Sequence, residues 1–187
     1  RLLASDAPNT EFKIYRSGTL IKTVAGNEGT NFVDVSGAAS SKYAVSAVVN
    51  GSESAKSEEV TVWADSYKAL SLDRPKDLTM PDGSTCSYAA GDMSTGDLDG
   101  DGKLDLVVKW DPSNAKDNSQ SGYTGNVYID GYKLDGTKLW RIDLGRNIRA
   151  GAHYTQFMVY DLNGDGFAEV AMKTSDGTVD GLGKVIG

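Results

Sequence analysis

Apolar residues in this chain come in short runs, mostly with a period of two, bounded by Gly, Asp, Asn and Ser. That pattern predicts strands and turns, and helical periodicity is scarce. Phe12 and Ile14 alternate first, then come Phe32 and Val33, then Tyr43, Val45, Ala47 and Val49, then Val60 and Val62. Ser17-Gly18, Gly26-Asn27 and Asn50-Gly51 mark turns between them. Residues 65–86 read as a polar connection holding Pro75, Pro81 and the Asp82-Gly83 turn. Beyond it, 87–95, 104–110, 126–134 and 137–143 are four candidate strands, the last two joined by Asp135-Gly136, a strong hairpin signal. The fold class expected is all-β.

An internal repeat organises the second part. "YDLNGDGFAEVAMKT" at 160–174 restates "GDLDGDGKLDLVVKW" at 96–110, offset by 64 residues. A fixed period of that size, with one acidic loop per unit, means stacked sheets. Four antiparallel strands in sequence are the plan of one propeller blade. Residues 87–187 are therefore read as the start of a β-propeller, with one blade at 87–144 and a partial blade at 152–187. Propellers need about four to eight blades, so one and a half cannot close a ring, and the chain is expected to be a piece of a longer one. Residues 1–64, with "FKIYRSGTLI", "NFVDVSG" and "KYAVSAVVNGSESAKSEEVTVW", resemble a fibronectin type III module. Such a sandwich has about seven strands; five or six are readable here, so the first strand is expected ahead of Arg1.

Composition narrows the function classes. The 187 residues suffice for one large or two small domains. A net charge of −7 without a basic stripe argues against nucleic acid. No stretch approaches the roughly 20 apolar residues of a membrane span. Cys86 is the only cysteine and cannot form an internal disulfide. The chain begins at Arg1 without a signal peptide, so processing is expected to have removed whatever came first.

The acidity is concentrated in two loops, D-x-D-x-D-G-x-x-D at 97–105 and D-x-N-x-D-G-x-x-E at 161–169. Oxygens at positions 1, 3 and 5 (Asp97, Asp99, Asp101; Asp161, Asn163, Asp165) converge as the chain winds around one point. The carbonyls of Lys103 and Phe167 and the acids Asp105 and Glu169 would complete each shell. Hard oxygen donors in a flexible loop select calcium. In an EF-hand the last acid falls at position 12, ahead of a helix; here that position holds Val108 and Met172, inside predicted strands. Calcium loops between the blade strands of integrin-type propellers match better, and a structural role is expected. The plain alternative is an acidic turn.

Candidate chemistry is sparse. No nucleophile elbow, P-loop or Cys/His cluster is present. The single histidine, His153, lies in "NIRAGAHYTQF" near Arg146 and Arg149; a lone histidine is more often a packing or hydrogen-bonding residue. The segment 109–126, "KWDPSNAKDNSQSGYTGN", is a long polar loop of the kind that carries function or is disordered. Asp111 emerges from a buried strand at its start, where it meets either a ligand or an ordinary turn. Arg141 and Arg149 suit a polyanion, but surface arginines are common.

The stretch from "KWDPSNAKDNSQSGYTGN" through "DLGRNIRAGAHYTQFMVYDLNGDGFAEVAMKT" resembles the rhamnogalacturonan lyases of polysaccharide lyase family 11, and the resemblance extends over essentially the whole chain. It implies an eight-bladed propeller, secreted by bacteria to the extracellular space, that binds several calcium ions. Its implied partner is rhamnogalacturonan I, the acidic plant cell-wall polysaccharide of pectin. The implied reaction is β-elimination at galacturonate: a base takes the C5 proton and the C4 oxygen leaves. On this resemblance Asp111 and Asp92 match substrate-binding positions, Arg149 and His153 are weaker candidates for substrate contact or support, and Gly91 stands where relatives are expected to carry Asn. The catalytic base is expected beyond residue 187, so the segment alone is expected to be inactive. Two rival readings are a calcium-stabilised binding propeller, lectin or integrin-like, and a catalytically dead relative retained for sugar binding. Formation of unsaturated uronate separates lyase from lectin.

Overall fold

The computed structural model describes residues 6–151 and 153–187. Residues 1–5, which open the first predicted module, and Ala152, which opens the second predicted blade, lie outside them. The described chain is all-β, with no helix, and divides into two compact units, Arg1–Ala69 and Leu70–Gly187.

The first unit holds β1 (Glu11–Arg16), β2 (Thr19–Val24), β3 (Lys42–Val49), β4 (Ser52–Glu53) and β5 (Val60–Thr61) in one antiparallel sheet. The order is β2-β1-β3, with β4 and β5 both pairing with β3. The connections at Ser17-Gly18 (φ 47° and 82°) and Asn50-Gly51 (φ 51° and 80°) are two-residue turns with both residues left-handed, as the hairpin twist requires. The strand expected at Phe32 and Val33 does not form. Asp34 accepts hydrogen bonds from Arg16 Nη1 at 2.8 Å, Tyr43 Oη at 2.8 Å and the Ser36 amide at 3.0 Å, which folds the segment into a turn and leaves Val35 93% exposed.

Faces also differ from what periodicity alone suggests. Tyr15, Ala44, Ser46 and Val48 make the buried face. There Glu53 accepts from Lys13, Tyr15 and Ser46, which holds its carboxyl down to about 2. Phe12, Ile14, Tyr43 and Val45 line a half-open groove of about 560 Å³ instead.

In the second unit, the small hairpin β6 (Leu78–Thr79) and β7 (Thr85–Cys86) precedes a four-stranded antiparallel meander: β8 (Tyr88–Gly96), β9 (Asp105–Pro112), β10 (Tyr128–Tyr132) and β11 (Lys138–Asp143). A second hairpin, β12 (Phe157–Tyr160) and β13 (Glu169–Met172), carries the second repeat. β9 is buried on both faces. Val107 packs with Val127, Ile129, Leu144 and Val159, whereas Val108 and Trp110 pack with Met80, Cys86, Tyr88 and Tyr132. A strand covered on both sides needs no polar alternation, which is why 104–108 reads as a nearly unbroken apolar run. The β10–β11 turn closes at Asp135-Gly136, with the Lys133 amide donating to the Thr137 carbonyl at 2.8 Å.

One charged pair sits inside this packing. Asp130 on β10 is fully buried and accepts from Trp110 Nε1 at 2.8 Å, Tyr132 Oη at 2.7 Å, and Arg141 Nε and Nη2 at 2.7 and 2.6 Å. Arg141, considered from sequence as a polyanion contact, is thus committed to an internal fork. The Asp130 bond raises its guanidinium pKa above the usual range.

Candidate functional site

Candidate residues lie at both ends of the meander. The loop between β8 and β9 and the β10–β11 turn share one; Asp111, the 113–127 loop and the segment after β11 share the other. Asp105 and Asp111 lie six residues apart along β9, roughly 20 Å at strand rise.

At the first end the two acidic loops share most of their bonds, and Asp161 in addition accepts the Asp165 amide at 3.1 Å. Asp97 accepts from the amides of Gly100 and Gly102, both at 2.7 Å; Asp161 does the same with Gly164 (2.6 Å) and Gly166 (2.9 Å). Asp99 and Asn163 each accept the amide two residues on, at 3.3 and 2.9 Å. Asp101 accepts from Lys103 and Asp165 from Phe167. The last acids reach back: Asp105 takes the Leu98 amide at 2.9 Å and Glu169 the Leu162 amide at 2.8 Å. Each loop leads straight into a strand, with Val108 in β9 and Met172 in β13, as the spacing predicts.

These loops bring together the residues the sequence singles out. Oxygens of Asp97, Asp99 and Asp105 lie within 4.8 Å of one another. Burial pushes the Asp105 carboxyl up, and the charges of Asp99 and Asp101 add to this against the pull of the Leu98 amide. An all-oxygen donor set under such repulsion fits a hard cation. In the second loop Asn163 supplies a neutral oxygen in place of the Asp99 carboxylate. The loops also touch. The Ala168 amide donates to the Asp97 carbonyl at 2.6 Å, and a Cβ on Gly100 would lie 2.4 Å from the Phe167 ring. Phe167, expected to offer only its carbonyl, therefore caps the neighbouring loop with its side chain.

At the opposite end, Asp92 and Asp111 do converge, through a residue that the sequence reading missed. Lys109 Nζ lies 2.5 Å from Asp92 Oδ2 and 3.6 Å from Asp111 Oδ1; its side chain is 5% exposed, against 72% for Asp92 and 42% for Asp111. Its signal was the single cation within the apolar stretch between Asp105 and Asp111. Burial pushes the Asp111 carboxyl up, the Lys109 ammonium opposes this, and the Asp92 charge adds to it. β8 bulges between Ala90 and Met93, which turns Asp92 toward Lys109. A Cβ on Gly91 would fall 2.0 Å from Asp111 Oδ2, so the glycine is what lets Asp111 lie back across β8.

Arg149 serves the long loop. Its Nη1 donates to the Gly122 carbonyl at 3.1 Å and its Nη2 to the Asp117 carbonyl at 3.0 Å and to that of Gln120. With Lys116–Ala150 and Ala150–Thr124 bonds, this fastens 113–127 beside a groove of about 840 Å³ lined by Tyr123, Asn126, Arg146 and Asn147. His153 lies exposed in the turn before β12, and among the described residues no hydrogen bond or ion pair joins it to Asp92 or Asp111.

An all-β fold of this kind is that of the solved rhamnogalacturonan lyases. The crystal structure of rhamnogalacturonan lyase YesW aligns over the whole chain with a TM-score of 0.84 at 59% identity, and Bacillus licheniformis rhamnogalacturonan lyase with 0.81 at 55%, each over 32% of its own length. Residues 67–187 match the rhamnogalacturonan lyase family 11 C-terminal domain and residues 1–63 the rhamnogalacturonan I lyases beta-sheet domain. The chain belongs to rhamnogalacturonan lyase family 11. Among curated relatives, it is 60% identical to the Bacillus subtilis rhamnogalacturonan endolyase YesW and 55% identical to the exolyase YesX of the same organism. It spans all 187 of its residues but only 30% and 31% of those proteins.

Proposed function

We propose that this chain is part of a secreted bacterial rhamnogalacturonan endolyase, folded as a fibronectin-like module followed by the first blades of a propeller, with calcium in both acidic loops. The observation that carries the activity is the match, over all of this chain and about a third of theirs, to lyases named for rhamnogalacturonan, together with an acid pair held by a buried lysine at one end of the meander. Four antiparallel neighbours in sequence order support the blade.

In the lyase reaction a base removes the C5 proton of a galacturonate. The C4–O bond then breaks, C4=C5 forms, and the departing oxygen takes up a proton. The weak acidity of that C5–H demands that the uronate carboxylate be neutralised as charge builds on it. Asp97, Asp99, Asp101 and Asp105 would hold a calcium ion in the first loop, where it would balance their charge; Asp105 stands roughly 20 Å along β9 from Asp111, so these residues are placed to serve the fold and not the uronate carboxylate. Asp92 and Asp111 accept sugar hydroxyls in this reading, Lys109 holds the two acids in place, and Arg149 acts at one remove by fixing the loop that walls the groove.

The test is formation of unsaturated uronate from rhamnogalacturonan I by the whole protein, followed by ultraviolet absorbance. Product length separates endo from exo cleavage. Asp111→Asn is expected to lower kcat/KM by about 10- to 100-fold, the loss of one charged hydrogen bond. Saccharide binding without unsaturated product in the unmodified protein would refute the lyase reading in favour of a lectin. Lys109→Met removes the ammonium that opposes burial at Asp111, so that carboxyl rises further above its ordinary range. Any rate requiring ionised Asp111 then sets in at higher pH, and the acid limb of the kcat/KM profile moves upward. An unmoved limb would show that Asp111 does not titrate in the reaction.

A further inference from the structure

We propose that Lys133 is a tethered counter-ion of the first acidic loop, and that it sets how tightly that loop takes calcium. This rests on reading the loops as calcium sites. Lys133 follows β10 at the start of the hairpin turn, and its backbone is fixed there: its amide donates to the Thr137 carbonyl at 2.8 Å and its carbonyl accepts the Gly136 amide at 2.9 Å. From that base the ammonium contacts Asp99 Oδ2 and lies 3.4 Å from Asp101 Oδ2. A cation is therefore already seated against two of the four carboxylates, standing where positive charge is needed.

Charge balance gives the lysine its meaning. Asp97, Asp99, Asp101 and Asp105 carry −4, which Lys103 within the loop and the Lys133 ammonium reduce to −2. Asp161, Asp165 and Glu169 give the second loop −3, because Asn163 stands where the first has Asp99 and Phe167 where it has Lys103. Among the described residues no lysine or arginine pairs with the second loop's acids. The two loops, nearly alike in backbone hydrogen bonding, thus temper their acidity by different means: an amide at Asn163 in one, Lys103 and a lysine 34 positions from Asp99 in the other. An ion entering the first loop must draw Asp99 Oδ2 away from the ammonium or share it. A single positive charge roughly 6 Å from a divalent ion in a water-like dielectric weakens binding by about tenfold.

Calcium calorimetry on the whole protein, in an Asp161→Asn background that silences the second loop, tests this. Lys133→Gln is expected to tighten calcium binding by about tenfold and to lower the melting temperature of the metal-free protein, whereas Lys133→Arg stays near the parent. Unchanged or weaker binding in Lys133→Gln, with the Arg variant and the parent both binding, overturns the role of Lys133 alone. No calcium uptake by the parent or by any variant overturns the calcium reading of the loops and the counter-ion with it.

Discussion

Arg141→Met is expected to lower the melting temperature of the protein by about 10 °C. The reason is the state it leaves behind: Asp130 is fully buried, and its only ion-pair partner is the Arg141 fork, at 2.6 and 2.7 Å, among the described residues. Removing one partner of a buried pair strands an uncompensated charge, at a cost of about 3–5 kcal/mol. In a chain of this size each kcal/mol corresponds to about 2–4 °C. Arg141→Lys should fall between, since a single ammonium cannot reproduce the bidentate contact. The double change Asp130→Leu with Arg141→Met should recover only part of the loss, because Trp110 Nε1 and Tyr132 Oη would still lack their acceptor. Thermal melts of the three variants measure this, and a drop of under 2 °C or so for Arg141→Met would show that water reaches Asp130 after all.

Chelation of calcium is expected to have an effect of similar size on the loop end. If each loop holds its ion at a concentration about 100 times its dissociation constant, each contributes about 2.7 kcal/mol. Two loops together then shift the melt by about 10–20 °C at 2–4 °C per kcal/mol. The loss should exceed the sum of the two single-loop variants, because the loops lean on one another through the Ala168–Asp97 bond and the Phe167 ring over Gly100. Melts in excess chelator, compared with Asp97→Asn and Asp161→Asn singly and together, supply the measurement. An identical melt with and without chelator would remove the structural role assigned to the ions.

A catalytic consequence follows from the layout. The first acidic loop and the candidate sugar residues occupy opposite ends of the meander, so under the calcium and lyase proposals chelation is expected to inactivate through unfolding. Activity and melting temperature should then fall together across a calcium titration.

Some of this was legible before any coordinates. Two positive-φ turns at Ser17-Gly18 and Asn50-Gly51 follow from local backbone sterics, and short-range chemistry needs no partner from elsewhere. The acidic loops are likewise local: every bond from Asp97 or Asp161 to a following amide spans five residues or fewer, so spacing alone specifies the winding. The four meander strands were readable because their apolar runs are interrupted by strong turn signals. Phe32 and Val33 were misread because the decision lay with Asp34 and its partners Arg16 and Tyr43, 18 and 9 residues away.

What the amino-acid sequence determined by itself is therefore an all-β chain, the position of its turns and two in-phase oxygen-rich loops, all consequences of contacts within a few residues. Only the tertiary structure decided which face of the first sheet is buried, that Arg141 closes on Asp130, that Lys109 joins Asp92 to Asp111, and that Lys133 and Phe167 cover the first loop. Those pairings join residues up to 67 positions apart (Gly100 and Phe167). Their energies come from burial and charge proximity, and distance along the chain carries no information about either.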